Sequence, residues 1–333
     1  MPRVSVLLPA RDAAVWLAAA IASLEAQTFS DYEVIAVNDG STDATGSILD
    51  AWALRDGRVR VLHRPARGIV ASLEEAATEA RGELLARMDA DDVAYPTRLA
   101  EQVALLDSDA SLGACGTQVR YFPRERVRGG ARRYERWLNS LTQPAELERD
   151  LYVECPIAHP ALMVRRELYE RAGGYQDRGW PEDYDLVLRI HAAGGRLANV
   201  PSVLLDWREG DQRLSRTHER YAHAAFQRCK AHYIAGTRLR GRQVVVWGAG
   251  PVGKGFARAL LAEGVRIAAF VDLDPRKIGQ VVHGAHVIAP DRINEFRGCY
   301  AVAAVAGAAA RTEIRAALAA AGWEEVAEFC AVA

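Results

Sequence analysis

The sequence predicts an α/β protein with an open, mostly parallel β-sheet, followed by a second and smaller α/β domain. Over residues 1–110, short β-branched runs alternate with amphipathic helical stretches. This alternation is typical of a parallel sheet with helices on both faces. It starts again after residue 242, where a strand-like run leads into a glycine-rich turn. The length of 333 residues agrees with two domains rather than one.

The composition describes a folded protein with balanced charge. Hydrophobic residues make up 50% and charged residues 26% of the chain, so there is enough apolar material for buried cores. Lysine and arginine number 42 against 43 aspartate and glutamate, a net charge of −1. This balance argues against a general binder of nucleic acid or of acidic membranes. No nucleic-acid partner is therefore expected.

The cysteines and the apolar runs indicate a cytoplasmic protein without a transmembrane segment. The five cysteines form no CxxC pair, which argues against a disulfide framework or a structural zinc site. The apolar runs at 13–24 and 301–310 are shorter than the roughly 18 residues that span a bilayer. A strand-like run at 4–8 leaves no room for a signal peptide. Peripheral contact with a membrane is left open.

The elements of the first domain follow from the period of the apolar residues. Strands are predicted at 4–8, 33–37, 59–62, 84–88, 113–122 and 161–166, and helices at 12–27, after 41, at 69–81, from 96 and at 182–193. Residues 123–136 carry six arginines, which predicts either a solvated loop or a flap over a phosphate-bearing ligand. A helix over 216–236 is predicted to connect the domains, whose limits are then 1–215, 216–241 and 242–333.

Three carboxylates, Asp89, Asp91 and Asp92, follow the predicted strand 84–88. Ligands of parallel sheets bind where the strands end, and clustered carboxylates repel one another unless solvent or a cation separates them. Asp89 and Asp91 can present oxygens to one divalent ion, Mg²⁺ or Mn²⁺. The alternative is an acidic turn in which Asp92 caps the next helix. The metal interpretation is preferred.

Two other strand ends carry further polar residues. Asp39 follows the second strand and could accept hydrogen bonds from a nucleobase or a ribose, while Gly40 permits a sharp turn. Ser41 or Thr42 is expected to cap the next helix. The first strand ends at residues 9–12, which places an arginine and an aspartate at the same edge. Each of these segments alone could equally be a plain βα turn.

Several of these segments together resemble the family-2 glycosyltransferases of the GT-A fold. The resemblance is carried, in order, by residues 4–11, the Asp39 segment, Gly68-Ile69, 86–92, 158–161 and 180–186, within residues 1–215. It implies an inverting transfer of a sugar from a nucleotide-diphosphate sugar, with UDP expected, to a hydroxyl acceptor. The acceptor would be a glycan or a lipid-linked molecule in polysaccharide or surface-glycan synthesis.

The resemblance also implies which residues bind the donor. Asp39 would bind the nucleotide base, with Asp12 beside it and with Pro9 and Arg11 at the floor of the pocket. Asp89 would contact the ribose. All five residues lie at or near the ends of predicted strands.

For the chemistry, the resemblance implies that Asp91 binds a metal that bridges the diphosphate, and His218 is a candidate contact to the metal or the diphosphate. Asp183 would be the base that deprotonates the acceptor, with Glu182 as the less favoured candidate. A helix N-terminus at this point would favour the ionised form of Asp183. Arg208 could close over the donor phosphates or pack against the core.

Two further positions allow more than one interpretation. Glu74 stands where similar sequences often carry Asn, which would alter contacts to the base or the ribose. His159 could contact the diphosphate or the metal. A lone histidine is, however, more often a hydrogen-bonded structural residue.

The glycine-rich turn of the second domain consists of Gly248, Gly250 and Gly253, with Asp272 at the end of the next strand. This context predicts a nucleotide site, because N–H groups at a helix start face a phosphate and the acidic residue faces a ribose. Gly255 stands where a P-loop would need Ser or Thr, so a Rossmann-like domain is preferred. The ligand would be NAD or a nucleotide. The alternative is a role in oligomerisation or as a scaffold.

Three other functions compete with sugar transfer. An NAD-dependent oxidoreductase centred on the glycine-rich turn would need a set of hydride-transfer residues, and no such set follows residue 254. A non-catalytic nucleotide-sugar-binding protein would bind the donor without turnover. A nucleotidyltransferase would release pyrophosphate. A homo-oligomer is compatible with each of them.

Overall fold

The computed structural model describes residues 1–210 and 213–333, which form two compact units. The first unit contains Met1–Pro144, Pro156–Arg178 and Glu182–Arg216. The second contains Ala145–Cys155, Gly179–Pro181 and Thr217–Ala333. Two short segments within the predicted first domain therefore belong to the second unit.

The secondary structure alternates strands with helices in both units. The strands, in chain order, are β1 (Val4–Ala10), β2 (Tyr32–Asp39), β3 (Val59–Arg64), β4 (Leu84–Arg87), β5 (Val93–Ala94), β6 (Leu112–Phe122), β7 (Met163–Arg165), β8 (Arg196–Arg208), β9 (Val244–Trp247), β10 (Ile267–Val271), β11 (Val281–Val282), β12 (Ala285–Ile288), β13 (Tyr300–Ala303) and β14 (Phe329–Ala331). The helices are α1 (Ala14–Glu25), α2 (Thr45–Arg55), α3 (Ile69–Glu79), α4 (Arg98–Ser108), α5 (Gly129–Asn139), α6 (Pro144–Asp150), α7 (Arg166–Arg171), α8 (Glu182–Ala192), α9 (Leu214–Thr217), α10 (His223–Gly236), α11 (Pro251–Ala262) and α12 (Ala308–Ala320). The strands and helices predicted for residues 1–110 are present, with small differences at their ends.

The sheet of the first unit has the strand order β3-β2-β1-β4-β7-β6-β8-β5. Strands β3, β2, β1 and β4 run parallel to one another, and β7 is antiparallel to both of its neighbours. β1 and β2 are buried along their whole length, which agrees with the continuous apolar runs of strands inside a parallel sheet. The predicted α/β fold with a mostly parallel sheet is confirmed.

Apolar side chains of the helices complete the core of the first unit. Leu17 and Ile21 of α1, Trp52 of α2, and Leu99 and Leu106 of α4 are buried in one cluster with side chains of the strands. The spacing of four residues between Leu17 and Ile21 places both on one helix face. The core therefore lies between the sheet and these helices, and the loops at the strand ends are free to carry function.

The arginine-rich segment is largely helical, so the predicted loop is wrong, while the alternative of a flap over a phosphate-bearing ligand stays a prediction. Residues Arg124–Arg126 form a 3-10 helix and α5 begins at Gly129. Leu138 is buried in the core cluster, with Tyr134 and Trp137 packed against it. These apolar residues recur at helical spacing, which leaves the arginines on the other face.

The sheet of the second unit has the strand order β11-β12-β10-β9-β13-β14. Strands β12, β10, β9, β13 and β14 are parallel, and β11 adds an antiparallel edge. The chain thus builds outwards from β9 first on one side and then on the other. The predicted restart of the strand and helix alternation after residue 242 is confirmed.

The predicted connecting helix is interrupted. After α9, a 3-10 helix covers Glu219–Tyr221, and α10 begins only at His223. The side chain of His218 caps the 3-10 turn by accepting from the N–H of Arg220, which stops a continuous helix. In the parts of the chain that the structure describes, no helix is both long and apolar enough to cross a bilayer.

Candidate active site

The ends of β1, β2 and β4 meet at one edge of the first sheet. Ala10 at the end of β1 lies opposite Asn38 of β2, and Leu7 lies opposite Arg87, the last residue of β4. The loops that follow the parallel strands therefore leave the sheet side by side. In open α/β sheets this carboxyl edge is where ligands bind.

The loops after β1 and β2 are fastened to each other through Asp12. This residue has a positive φ of 46°, a conformation that aspartate tolerates better than most residues. Its Oδ1 accepts hydrogen bonds from N–H of Thr42 at 2.8 Å and from Oγ1 of Thr42 at 3.2 Å. Its own N–H donates to Oγ of Ser41 at 3.0 Å. Ser41 and Thr42 thus bind the neighbouring loop and do not cap α2, which begins only at Thr45.

Asp39 holds the loop that follows β3. Its two carboxylate oxygens accept from the N–H groups of Arg67 at 2.7 Å and of Gly68 at 2.9 Å, and the residue is 5% exposed. Gly68 has a φ of 87°, which favours glycine at this turn. The predicted contact of Asp39 with a nucleobase stays a prediction. In the structure the residue fixes the backbone at Arg67 and Gly68.

Asp89, Asp91 and Asp92 form the carboxylate loop, residues 88–92, at the end of β4. One oxygen of each residue lies within 4.8 Å of the others. Burial, followed by the Asp89 carboxylate, raises the pKa of Asp91 to about 6. Burial, followed by the carboxylates of Asp89 and Asp91, also raises the pKa of Asp92. Negative charge on all three carboxylates is therefore unfavourable until a cation approaches.

The carboxylate loop fits a hard divalent cation. Oδ2 of Asp92 is buried and has no hydrogen-bond partner among the described residues, and an unpaired buried carboxylate oxygen is costly. The available donor atoms are oxygens, which suit Mg²⁺ or Mn²⁺. Asp91 with Asp89 and Asp92 could therefore hold such an ion.

Arg208 supports this loop from β8. Its Nε donates to the carbonyl oxygen of Asp91 at 2.7 Å, and its N–H donates to Oδ1 of Asp92 at 2.7 Å. The guanidinium carbon lies 4.0 Å from the ring centroid of Trp16 and 4.3 Å from that of Phe122. Asp92 is therefore bonded to β8 and does not cap α4, in contrast to the sequence alternative. The predicted contact of Arg208 with donor phosphates stays a prediction.

The candidate bases lie at the first turn of α8, where the helix dipole favours negative charge. Asp183 is the second residue of the helix, and its Oδ1 accepts from the N–H of Tyr184 at 2.7 Å. Glu182 is only 2% exposed. The difference in burial makes Asp183 the more accessible of the two carboxylates.

A buried polar pair lies beside Glu182. Nε2 of His159 is 2.8 Å from the hydroxyl of Tyr175, and Nδ1 is 4.0 Å from Oε1 of Glu182. Burial, with the positive charge of Arg87 as a smaller cause, holds the pKa of His159 well below its usual value. His159 is therefore neutral near pH 7 and hydrogen-bonded, which agrees with a structural residue, and its contact with the diphosphate or the metal stays a prediction.

Glu74 belongs to the same region. Its Oε2 accepts from the hydroxyl of Tyr169 at 2.7 Å and from the N–H of Tyr175 at 2.8 Å. Glu74 therefore fixes the loop that carries Tyr175, and its expected effect on contacts to the base or the ribose stays a prediction. Charges of Arg87 and Glu182 act on the Tyr175 hydroxyl, so this loop lies between β4 and α8.

The second unit contains the remaining predicted residues. His218 is exposed, and its Nδ1 accepts from the N–H of Arg220 at 3.2 Å. Its role as a metal ligand stays a prediction.

The glycines of the turn after β9 are not equivalent. Gly248 has a φ of 118°, and a Cβ there would lie 2.9 Å from the carbonyl oxygen of Ala304. A Cβ on Gly253 would lie 1.8 Å from the carbonyl oxygen of Gly248, so only glycine permits this approach of α11 to the turn. A Cβ on Gly250 would meet no atom of the described residues within 4 Å. The backbone at Gly250 therefore faces open space.

Asp272 fixes the same turn. Its Oδ2 accepts from the N–H of Ala249 at 2.9 Å and from Nζ of Lys277 at 2.9 Å. Its Oδ1 accepts from the N–H of Asp274 at 2.9 Å. The carboxylate of Asp272 thus forms its hydrogen bonds within the turn. Its predicted contact with a ribose stays a prediction.

Sequence reasoning missed three residues that support the site. Arg87 and Arg98 are buried beneath the carboxylate loop, and Arg98 donates to the carbonyl oxygen of Arg87. Tyr175 bonds His159. The one available signal was an arginine inside the apolar strand run 84–88.

The comparisons with known proteins agree with this geometry. Residues 5–173 match the family described as Glycosyl transferase family 2. EpsE of Bacillus subtilis (strain 168) is 30% identical over 226 residues, which cover 66% of this chain and 78% of EpsE. The amylovoran biosynthesis glycosyltransferase AmsE of Erwinia amylovora is 28% identical over 195 residues, which cover 58% of this chain and 71% of AmsE.

Solved structures show the same fold. TarS 1-349 of S. aureus in complex with UDP-GlcNAc has a TM-score of 0.57 at 17% identity, over 71% of this chain and 67% of that one. The mannosyltransferase PcManGT of Pyrobaculum calidifontis, in complex with GDP-Man and Mn²⁺, has a TM-score of 0.53 at 22% identity, over 79% and 69% of the two chains. These likenesses concern the fold, whereas the match over residues 5–173 shows the family. The chain is a glycosyltransferase and belongs to glycosyl transferase family 2.

Proposed function

We propose that the protein transfers a sugar, with inversion, from a nucleotide-diphosphate sugar to a hydroxyl of a glycan or lipid-linked acceptor in polysaccharide synthesis. The observation that carries this proposal is the carboxylate loop, whose oxygens lie within 4.8 Å of one another at the carboxyl edge of the sheet. The relative AmsE, named for amylovoran biosynthesis, supports polysaccharide synthesis as the setting.

The proposed donor class agrees with ligands of the structural neighbours. TarS was solved with UDP-GlcNAc and PcManGT with GDP-Man and Mn²⁺, both nucleotide-diphosphate sugars. In this protein the nucleotide base of the donor would bind between Asp12 and Asp39, over Pro9 and Arg11. Asp89 would contact the ribose. UDP is the proposed nucleotide, with GDP as the comparison in the test.

Asp91, with Asp92 beside it, would hold Mn²⁺ or Mg²⁺, while Asp89 would contact the ribose. When bound, such a cation supplies positive charge that stabilises the departing diphosphate. Arg208 fixes the loop by its bond to the carbonyl oxygen of Asp91. The protein thus offers the leaving group a site whose carboxylates are already oriented.

Asp183 would act as the general base. Its carboxylate takes the proton of the acceptor hydroxyl while the oxygen forms a bond to the anomeric carbon and the bond to the diphosphate breaks. Attack on the face opposite the diphosphate gives inversion. Glu182, being almost fully buried, is the weaker candidate and is better placed to orient the first turn of α8.

Donor binding and transfer test these roles separately. A panel of UDP- and GDP-sugars is screened for thermal stabilisation with and without Mn²⁺, using the wild type, Asp91→Asn and Asp183→Asn. We expect stabilisation that depends on Mn²⁺ and is lost in Asp91→Asn, and we expect Asp183→Asn to bind the donor but to lose transfer. Full activity of Asp91→Asn in the presence of a chelator would overturn the metal site. Unchanged transfer by Asp183→Asn would overturn the base assignment.

For the second unit we propose a Rossmann-like domain with a nucleotide or NAD at the turn of Gly248, Gly250 and Gly253. The parallel order of β12, β10, β9, β13 and β14 agrees with one mononucleotide-binding half and an incomplete second, and the open space at Gly250 leaves room for a phosphate. A role in oligomerisation or as a scaffold is the alternative. Calorimetry with NAD⁺, UDP and GDP separates these two roles. A nucleotide site in the second unit predicts binding that persists in Asp91→Asn, whereas a role in oligomerisation or as a scaffold predicts no such binding.

A further inference from the structure

Arg87 is a buried cation that the proposed mechanism does not use. It is the last residue of β4 and is 5% exposed. Its Nη1 forms an ion pair with Oδ2 of Asp89, while its Nε is buried with no hydrogen-bond partner among the described residues. Burying such a donor unpaired costs free energy. The stability of the fold alone therefore does not explain an arginine at this position.

The ion pair determines which oxygen of Asp89 faces a ligand. The side chain of Asp89 is 28% exposed and that of Arg87 is 5% exposed, so the arginine approaches the carboxylate from the interior. Oδ2 pairs with Arg87, so Oδ1 is the oxygen of this carboxylate that the ion pair does not use. A carboxylate held in this way presents one acceptor in a defined direction.

Other basic residues nearby do not take the place of Arg87. His159 is buried against Tyr175 and is neutral near pH 7. Arg98 donates to the carbonyl oxygen of Arg87 and to Oε1 of Gln102 rather than to Asp89. Among the described residues, Arg87 is thus the cation that pairs with the Asp89 carboxylate.

We propose that Arg87 is a positioning residue for the donor ribose: by orienting Asp89, it lets the enzyme distinguish a ribonucleotide from a deoxyribonucleotide. The inference rests on the proposed function, in which Asp89 contacts the ribose. It adds a selectivity to that contact. A side chain that lies beneath the sheet edge, without touching the donor, would determine which hydroxyls Asp89 accepts.

Nucleotide binding in Mn²⁺ tests the proposal. The probes are UDP, 2′-deoxy-UDP and 3′-deoxy-UDP, with the corresponding guanosine compounds, measured by calorimetry. We expect the wild type to bind the ribonucleotide at least about tenfold more tightly than one deoxy form, as for a charge-assisted hydrogen bond. In Arg87→Met and in Asp89→Asn this ratio falls below about threefold. The two changes together lower it no further, because both remove one interaction.

Two variants separate positioning from folding. Arg87→Lys keeps the charge without the planar geometry, so the ratio falls by about threefold even if Arg87→Met does not fold. Arg165→Lys is the matched control, since Arg165 donates to the carbonyl oxygens of Leu112 and Leu106 in the same unit. It should lower the melting temperature and leave the ratio unchanged.

The outcomes distinguish this inference from the proposed function. Wild-type selectivity that persists in both Arg87 variants overturns the role of Arg87 and leaves the contact of Asp89 with the ribose in place. A wild type that binds ribo and deoxy forms equally, or binds no nucleotide, overturns that contact itself.

Discussion

Arg208 and Asp91 are joined by a hydrogen bond of 2.7 Å from Nε to the backbone carbonyl oxygen. The same guanidinium lies over the ring of Trp16, whose exposed fraction is 40%. The end of β8 and the N-terminal part of α1 are thereby connected to the carboxylate loop. This connection fixes the backbone between the carboxylates rather than the carboxylates alone.

We expect Arg208→Met to weaken Mn²⁺ binding by about tenfold, because loss of a residue that orients metal ligands has effects of this size. Trp16→Ala should weaken binding in the same direction by a smaller factor, since it removes one aromatic contact of the guanidinium. Calorimetric titration with Mn²⁺ measures both. Arg196→Met is the control, because Arg196 pairs with Asp109 at the surface. Equal Mn²⁺ affinity in Arg208→Met and the wild type would contradict the role of Arg208.

The stability of the metal-free protein should depend on pH through Asp91. Burial, then Asp89, raises the pKa of Asp91 to about 6, above its value in the unfolded chain, so the folded state binds a proton more tightly. The free energy of unfolding should therefore fall as pH rises from about 4 to about 6, by about 2 kcal/mol. Thermal melts in EDTA at several pH values test this, with Asp91→Asn as the control in which the slope becomes smaller while the contribution of Asp92 remains. A melting temperature that rises over this range in the wild type relative to Asp91→Asn would refute it.

Mn²⁺ should show the opposite dependence, because a proton competes with the cation for Asp91. We expect the affinity for Mn²⁺ to decrease as pH falls through about 6. Calorimetry in two buffers of different ionisation enthalpy would detect the proton that is released on binding. Binding without proton release at about pH 6 would argue against this site.

Tyr175→Phe should destabilise the first unit by about 1–2 kcal/mol, because the buried Nε2 of His159 loses its partner. Urea unfolding measures the change. Tyr95→Phe is a matched control, since the hydroxyl of Tyr95 lies 3.4 Å from Oδ1 of Asp206 at a less buried position, and it should cost less than about 0.5 kcal/mol. An equal decrease of the free energy of unfolding in both variants would contradict a larger contribution of the bond between His159 and Tyr175.

In the second unit, Gly253→Ala and Gly250→Ala should behave differently. The Cβ of Gly253→Ala would lie 1.8 Å from the carbonyl oxygen of Gly248, so α11 must move and we expect a loss of several kcal/mol, about 3 or more. Gly250→Ala meets no such obstacle and should change stability by less than about 1 kcal/mol, while a bound phosphate would be blocked. Thermal melts and calorimetry with nucleotides measure both effects. Comparable stability of the two variants would show that the close approach at Gly253 is not required.

The sequence was sufficient to predict the parallel sheet and the loops at its edge. Asp89, Asp91 and Asp92 follow an apolar strand directly, and the position of such residues depends on local order along the chain. Asp183 was predicted at a helix start for the same reason. The structure places these residues as expected, and their roles remain to be tested.

What could not be predicted depends on tertiary contacts. Arg87 lies in an apolar strand run, and its burial results from the neighbouring strands of the sheet, where Leu7 lies opposite it. The glycines and arginines of residues 123–136 are typical of a loop, whereas Leu138 and its apolar neighbours at helical spacing indicate a helix. The bonds from Arg208 to the carboxylate loop join residues more than one hundred positions apart. No local sequence pattern could have predicted them.

The membership of Ala145–Cys155 in the second unit restricts how this protein can be divided or recombined. Asp150 pairs with Arg315, and the carbonyl oxygen of Val153 accepts from the buried Nζ of Lys230 at 2.7 Å. A truncation after residue 216 would strip both partners from a stretch of chain that it retains. In chimeras with related enzymes, this stretch and the C-terminal part should therefore come from the same parent protein.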